Sequence, residues 1–159
     1  MSGESTISSV LQTEHREVEK LLDRFEQALG EERVDAPPFQ EAARILHRHI
    51  YLEEELLFPE VEARGLIGPT QVMTLEHGQI WQLLESILDG IRSGAEPERI
   101  QDTFRALRGV LEGHNMKEEQ VLYPTADQFL AGPEHGGIVR RLTEAIAPEG
   151  WTCRARRSG

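Results

Sequence analysis

The sequence predicts an all-α fold: an up-down-up-down antiparallel four-helix bundle with a short C-terminal helical extension. Three observations predict it. Four segments of about 20 residues carry apolar side chains at helical spacing, with short Gly- and Pro-containing runs between them. No segment alternates as a strand does, and no dipeptide marks a hairpin. The second pair of segments repeats the first, and helices joined by short loops pack as antiparallel neighbours.

The first helix is expected from about Ile7 to Leu29, with Ile7, Val10, Leu11, Val18, Leu21, Leu22, Phe25 and Leu29 on one face. Gly30 is its expected stop, and "EERVDAPP" reads as a loop. The second starts near Pro38, a good first-turn residue, and runs to about Phe58, before Pro59. "EARGLIGP" leads to the third, from about Thr70 to Ile91, closing around Gly90 and "SGAEP". The fourth runs from about Pro97 to Tyr123 or a little beyond. After "AGPEHGG" a short helix spans Ile138 to Ile146, and the basic "RARRSG" reads as a mostly disordered tail. Residues 1–131 are thus expected to form the bundle and 132–159 an extension, a short helix followed by a partly disordered tail.

A chain of 159 residues is long enough to bury a core without disulfides. Its net charge of -11, from 28 Asp and Glu against 17 Lys and Arg, speaks against a nucleic-acid surface. The one cysteine, Cys153, fits a reducing compartment. "MSGESTISSV" lacks the pattern of a signal peptide, and no apolar run approaches the ~20 residues that span a bilayer. The expectation is a soluble, cytoplasmic domain with neither nucleic acid nor membrane as partner; a protein partner and the oligomeric state stay open.

The polar residues on the apolar faces carry the chemistry. "HIYLEEELLFP" at residues 49–59 is repeated by "HNMKEEQVLYP" at 114–124: one shift carries His49 to His114, Glu53 to Glu118, Glu54 to Glu119, Phe58 to Tyr123 and Pro59 to Pro124. A second shift carries Glu14-His15 onto Glu76-His77, Val18 onto Ile80 and Leu21-Leu22 onto Leu83-Leu84. In the second helix His49 and Glu53 lie at the centre of the stripe Ala42, Ile45, Leu52 and Leu56. In the fourth, His114 and Glu118 lie within Ile100, Phe104, Leu107, Leu111 and Val121. His15 and His77 sit at the edge of the apolar faces of the other two.

A lone inward histidine is more often a hydrogen-bonded core residue than a ligand, and an inward glutamate usually reaches for solvent. Here two carboxylates and four histidines are directed to one interior with no Lys or Arg on the stripe centres. An uncompensated buried carboxylate costs several kcal/mol. A bound metal would supply the missing charge. His47, about 200° round the helix from His49, is placed on the solvent side, and His135 in a Gly-rich loop; neither is assigned to the site.

The six ligands divide into two sites, His15 with His49 and His77 with His114, each of Glu53 and Glu118 bridging both ions. Mixed imidazole and carboxylate donors suit iron, manganese or zinc over magnesium and calcium. Such ions stay short of ligands, leaving room for a small molecule such as oxygen, nitric oxide or peroxide. Glu-x-x-His of ferritin-like bundles and His-Glu-x-x-His of zinc proteases are both absent.

His15, His49-x3-Glu53, His77 and His114-x3-Glu118, one motif per helix, resemble the hemerythrin-like, or HHE cation-binding, family over roughly residues 7–130. The resemblance implies a non-haem di-iron centre with these four histidines as terminal ligands and the two glutamates as bridges. It also implies roles such as oxygen binding, oxygen or nitric oxide sensing, iron handling or peroxide decomposition. Oxygen-carrying members have a further histidine one turn beyond the third-helix ligand; this chain has Trp81 there, which argues against stable oxygen carriage. Glu19, the repeat partner of Trp81, is read as a solvated flank in preference to a replacement ligand. Glu54 and Glu119 are placed off the stripe centre, at the surface or behind the ligands, with Glu54 and Glu55 looking toward solvent. Trp81 and Tyr123 are read first as core packing and second as redox-active neighbours. The leading expectation is a protein that binds or senses a diatomic ligand or iron and redox state. A peroxide-decomposing enzyme and a structural zinc or single-metal bundle are the alternatives.

Overall fold

The computed structural model describes residues 4–157, whose regular structure is helical throughout. Four long helices and two short ones follow in order. Helix α1 is Ile7–Gly30; α2 covers 36–62, an α-helical stretch Ala36–Tyr51, a π-helical turn Leu52–Leu57 and an α-helical end Phe58–Glu62. Helix α3 is Gly68–Arg92, and α4 covers 97–129, with Pro97–Lys117, a π-helical turn Glu118–Leu122, and Tyr123–Phe129. Helices α5, His135–Glu144, and α6, Arg154–Arg157, complete the chain. The main pairings are α1 with α2 and α3 with α4. No described helix is long and apolar enough to cross a membrane.

Local chemistry sets the ends. Thr6 caps α1, accepting from the Ser9 N–H while the Ser9 hydroxyl accepts from the Thr6 N–H, a reciprocal capping box. Gly30, the expected stop, is instead the last helical residue, and the left-handed position falls on Glu32 at φ 61°. Helix α3 closes with Gly94 at φ 72°, a conformation costly for a residue with a Cβ.

Pro59 does not end the second helix, and Tyr123 is followed by two further turns of the fourth. Proline lacks an N–H and its ring strikes the carbonyl four residues back. In both helices a wider turn comes directly before the proline: the Phe58 N–H reaches Glu53 O, and the Tyr123 N–H reaches Glu118 O, each five residues back. The inserted residue also shifts the inward face. Leu57 and Phe58 are buried where Leu56 was expected, and Leu122 and Tyr123 are buried while Val121 is 51 % exposed.

The buried apolar residues form two cores. One contains Phe25, Phe39, Phe104 and Leu107, and the other Ile7, Leu11, Leu57, Phe58, Leu122 and Leu130 with Ile138 and Leu142 of α5. Every long helix contributes to both, and the six polar candidates lie at or beside the point along each helix where one core gives way to the other.

Asp127 fastens the second core. Its carboxylate accepts from the Ile7 and Ser8 N–H groups, at 2.9 and 3.1 Å, from the Ser8 hydroxyl at 2.7 Å, and from His135 Nε2 at 2.8 Å. Burial alone would raise its carboxyl pKa, but the bonds from His135, Ser8 and Ile7 outweigh it and hold the pKa below the ordinary range. This contribution is therefore complete above about pH 4 and is lost as pH falls through the depressed value. Asp127→Ala is expected to cost about 1–2 kcal/mol at pH 7 and less in acid. Denaturant titrations at both pH values check this; an equal cost at each would refute the capping role.

Candidate metal centre

All six side chains singled out by the sequence converge between the two cores. Glu53, His77, His114 and Glu118 bring one donor atom each within 4.8 Å of one another, and His15, His49 and Glu118 form a second such group. Every one of these residues is at least 97 % buried. Glu118 joins the groups: Oε1 lies 3.1 Å from His15 Nε2, and Oε2 lies 3.1 Å from His114 Nε2. Glu53 spans them from the opposite helix, with Oε1 2.9 Å from His77 Nε2 and Oε2 3.2 Å from His49 Nε2.

A second layer of carboxylates stands behind the histidines. Nδ1 of His15, His49, His77 and His114 faces Glu119, Glu14, Glu54 and Glu76 respectively, at 2.7 to 2.8 Å. Each helix pair crosses over: the glutamate before one histidine supports the histidine of the neighbouring helix. Ionised carboxylates only accept, so Nδ1 carries the proton and Nε2 presents a lone pair to the interior. His15 Nε2 and His49 Nε2 are 3.1 Å apart, and the Glu118 Oε2 atom is buried without a hydrogen-bond partner. Lone pairs so close repel unless a cation lies between them. The donor set therefore fits a metal, with His15, His49, His77, His114, Glu53 and Glu118 as the atoms to hold it.

Without metal, protons serve the same balance. Burial opposes charge on His49, yet the Glu53 charge and bonds to Glu118, Glu14 and Glu53 raise its pKa well above the usual histidine value. His77 behaves alike: burial opposes charge, and Glu118, Glu53 and Glu54 overcome it. Burial pushes the Glu118 carboxyl up, but His114, His15 and His49 together hold it well below the carboxylate range.

Tyr123 is more than packing. Its hydroxyl donates to Glu53 Oε2 at 2.5 Å or Glu118 Oε1 at 2.8 Å, and lies 3.2 Å from His15 Nε2 and 3.1 Å from His49 Nε2. Burial, followed by the charges of Glu118 and Glu53, lifts its pKa well above that of a free phenol, so it stays protonated. Its repeat partner Phe58 instead stacks on His77, ring centroids 5.8 Å apart.

Four placements differ from expectation. Glu54 is fully buried, because the wide turn brings two successive residues to the inside; only Glu55 faces solvent. His47 is half-buried and stacked on Trp81, ring centroids 4.1 Å apart, rather than facing solvent. The tail is not loose as far as it is described: Arg154–Arg157 form a helical turn, while residues 158–159 lie outside the described residues. Glu14 and Glu76 carry no role in the sequence reading, although the repeated Glu-His dipeptide marks both. Glu19 is exposed, in a groove with Arg108, Glu112 and Asn115, and is in neither donor group. His135 stands outside the cluster, on Asp127.

The chain resembles the iron-sulfur cluster repair protein YtfE of Yersinia pseudotuberculosis serotype IB (strain PB1/+), with 35 % identity over 92 residues, 51 % of this chain and 41 % of the relative. The protein of the same name from Yersinia pestis (strain Pestoides F) is 34 % identical over 92 residues, with the same shares. The chain thus spans about two fifths of the length of these curated relatives. No solved structure matches it significantly. The profile of the hemerythrin HHE cation-binding domain matches residues 6–126, a stretch that begins at the cap of α1 and contains all six converging side chains. The chain belongs to the hemerythrin HHE cation-binding family.

Proposed function

We propose that the chain is an up-down-up-down four-helix bundle holding a carboxylate-bridged pair of non-haem iron ions, which binds or senses a small diatomic molecule, oxygen or nitric oxide. The core memberships support the topology: the start of α1 shares a core with the end of α2, the start of α3 and the end of α4. The observation that carries the metal reading is the convergence of four imidazole Nε2 atoms on two carboxylates that reach both groups.

In this reading His15 and His49 hold one ion, His77 and His114 the other, and Glu53 and Glu118 bridge them. An iron pair would supply redox-active, Lewis-acidic positions for the small molecule. The chain's residues do the rest. Glu14, Glu54, Glu76 and Glu119 fix the tautomer and orientation of the rings. The flanking cores exclude bulk water and larger molecules, and the Tyr123 hydroxyl holds a proton at the centre of the cluster. Metal must displace protons from His49 and His77, so its affinity falls as pH is lowered.

A second reading, iron or redox handling, draws on the relatives named for iron-sulfur cluster repair. Metal analysis and the optical spectrum of protein purified without added metal test the centre. About two irons per chain with visible charge-transfer absorption are expected. One zinc per chain and no iron would replace this reading by a structural bundle. Rapid mixing of the reduced protein with oxygen or nitric oxide then separates ligand binding from iron handling by whether a coloured adduct forms.

A further inference from the structure

The family match ends at residue 126, yet the chain beyond it returns to the site. Trp151 packs edge-on against Tyr51 and Trp81, at 5.2 and 5.7 Å, and Cys153 is fully buried. Helix α6 lies on α3. There the Arg154 backbone N–H donates to Glu54 Oε1 at 2.8 Å, and its guanidinium donates to the Glu54 carbonyl at 2.8 Å. The other Glu54 oxygen accepts from His77 Nδ1.

The start of the segment reaches a second histidine. Arg48 donates to the carbonyls of Leu142, Thr143 and Ala145 at the end of α5, and to Glu14, which faces His49 Nδ1. Among the described residues, the matching carboxylate in the other half of the repeat has less cover. Glu119, the partner of Glu54, is 37 % exposed and faces His15.

One residue seats the segment. A Cβ on Gly78, next to His77, would lie 2.6 Å from the Ala155 Cβ, too close for any real pair. The repeat partner of Gly78 is Arg16, which is exposed. Glycine is thus needed at 78 for the segment to approach.

We propose that residues 142–157 form a clamp that positions His77 through Glu54, and His49 through Arg48 and Glu14, so that metal retention depends on a segment outside the family domain. The metal part rests on the reading above; the positioning part does not. Arg154 acts here as a positioning residue, with no contact to the donor cluster required.

The test uses the full chain loaded with zinc, and follows metal release to a chelator together with the NMR signal of each histidine Nδ1–H. Gly78→Ala is expected to speed release of one of the two metal equivalents about tenfold, and to shift the His77 Nδ1–H signal while leaving that of His15. Adding Ala155→Gly in the same chain should reverse both effects, since it removes the opposing Cβ. Arg154→Pro, which deletes the donated N–H without new bulk on α3, serves if Gly78→Ala does not fold, and should act on the same equivalent. Unchanged release, or acceleration that the Ala155→Gly change does not reverse, would overturn the clamp. If the wild type retains no zinc or iron, the metal reading fails by itself. The His77 signal of the metal-free protein then decides the clamp: a shift in Gly78→Ala that reverses in the double variant sustains it, and no shift overturns it.

Discussion

Glu118→Gln is expected to strip both ions of the proposed centre, lowering retention of each by more than about a hundredfold, beyond what outer-layer partners control. The reason is geometric. Glu118 belongs to both donor groups, with one oxygen near His15 and the other near His114. The amide keeps the volume but replaces an anionic oxygen by an NH2 group that can only donate. It leaves Glu53 as the one carboxylate of the two donor groups to balance the cations. Metal content after dialysis against a chelator measures the effect, with Glu119→Gln as comparison. That neighbour faces only His15 from the half-exposed flank, so its loss should weaken one ion and spare the other. Two ions held by Glu118→Gln as firmly as by the wild type would remove the bridging role altogether.

Phe104→Ala should destabilise the fold by about 3–5 kcal/mol while leaving the donor set intact. The ring is 1 % exposed and packs on Phe25 and Phe39, centroids 5.2 and 6.4 Å away, with the Arg108 guanidinium 5.9 Å above it. Truncation leaves a cavity bounded by rings that are themselves held in place, so little collapse can offset the loss. For a chain of this size the melting temperature should fall by about 10 °C, read by circular dichroism. His114 is nearly three turns away along α4, so metal content per folded chain should not change. A cost below about 1 kcal/mol would show that this core closes over the gap.

Much of this architecture is legible in the residues. The apolar spacing marks the four long helices, and the repeated His-x3-Glu and Glu-His patterns single out all six side chains that converge. The errors share physical causes. Proline read one residue at a time signals an end, but a π-helical turn lets the chain continue past Pro59 and Pro124. That turn also changes which residues face inward. A constant 100° step therefore places Val121 inside and Glu54 outside, the reverse of what is seen. The roles of Glu14 and Glu76 depend on contacts between helices, which no single-helix projection contains. Glu54 and Glu119 do stand behind histidines, one of the two placements read for them. Arg154 reads as the start of a loose tail because four helices already suffice for a core; its role comes from what it covers.

Two copies of one hairpin would offer an incoming molecule identical walls. One oxygen atom removes that equality. Tyr123 supplies a hydroxyl between the carboxylates, whereas Phe58 presents a ring face to His77. The cluster therefore has a fixed proton donor from α4 and none from the matching position of α2. The duplicated frame thus holds a centre polarised by a single side chain, and Tyr123→Phe would restore the match between its halves at this position.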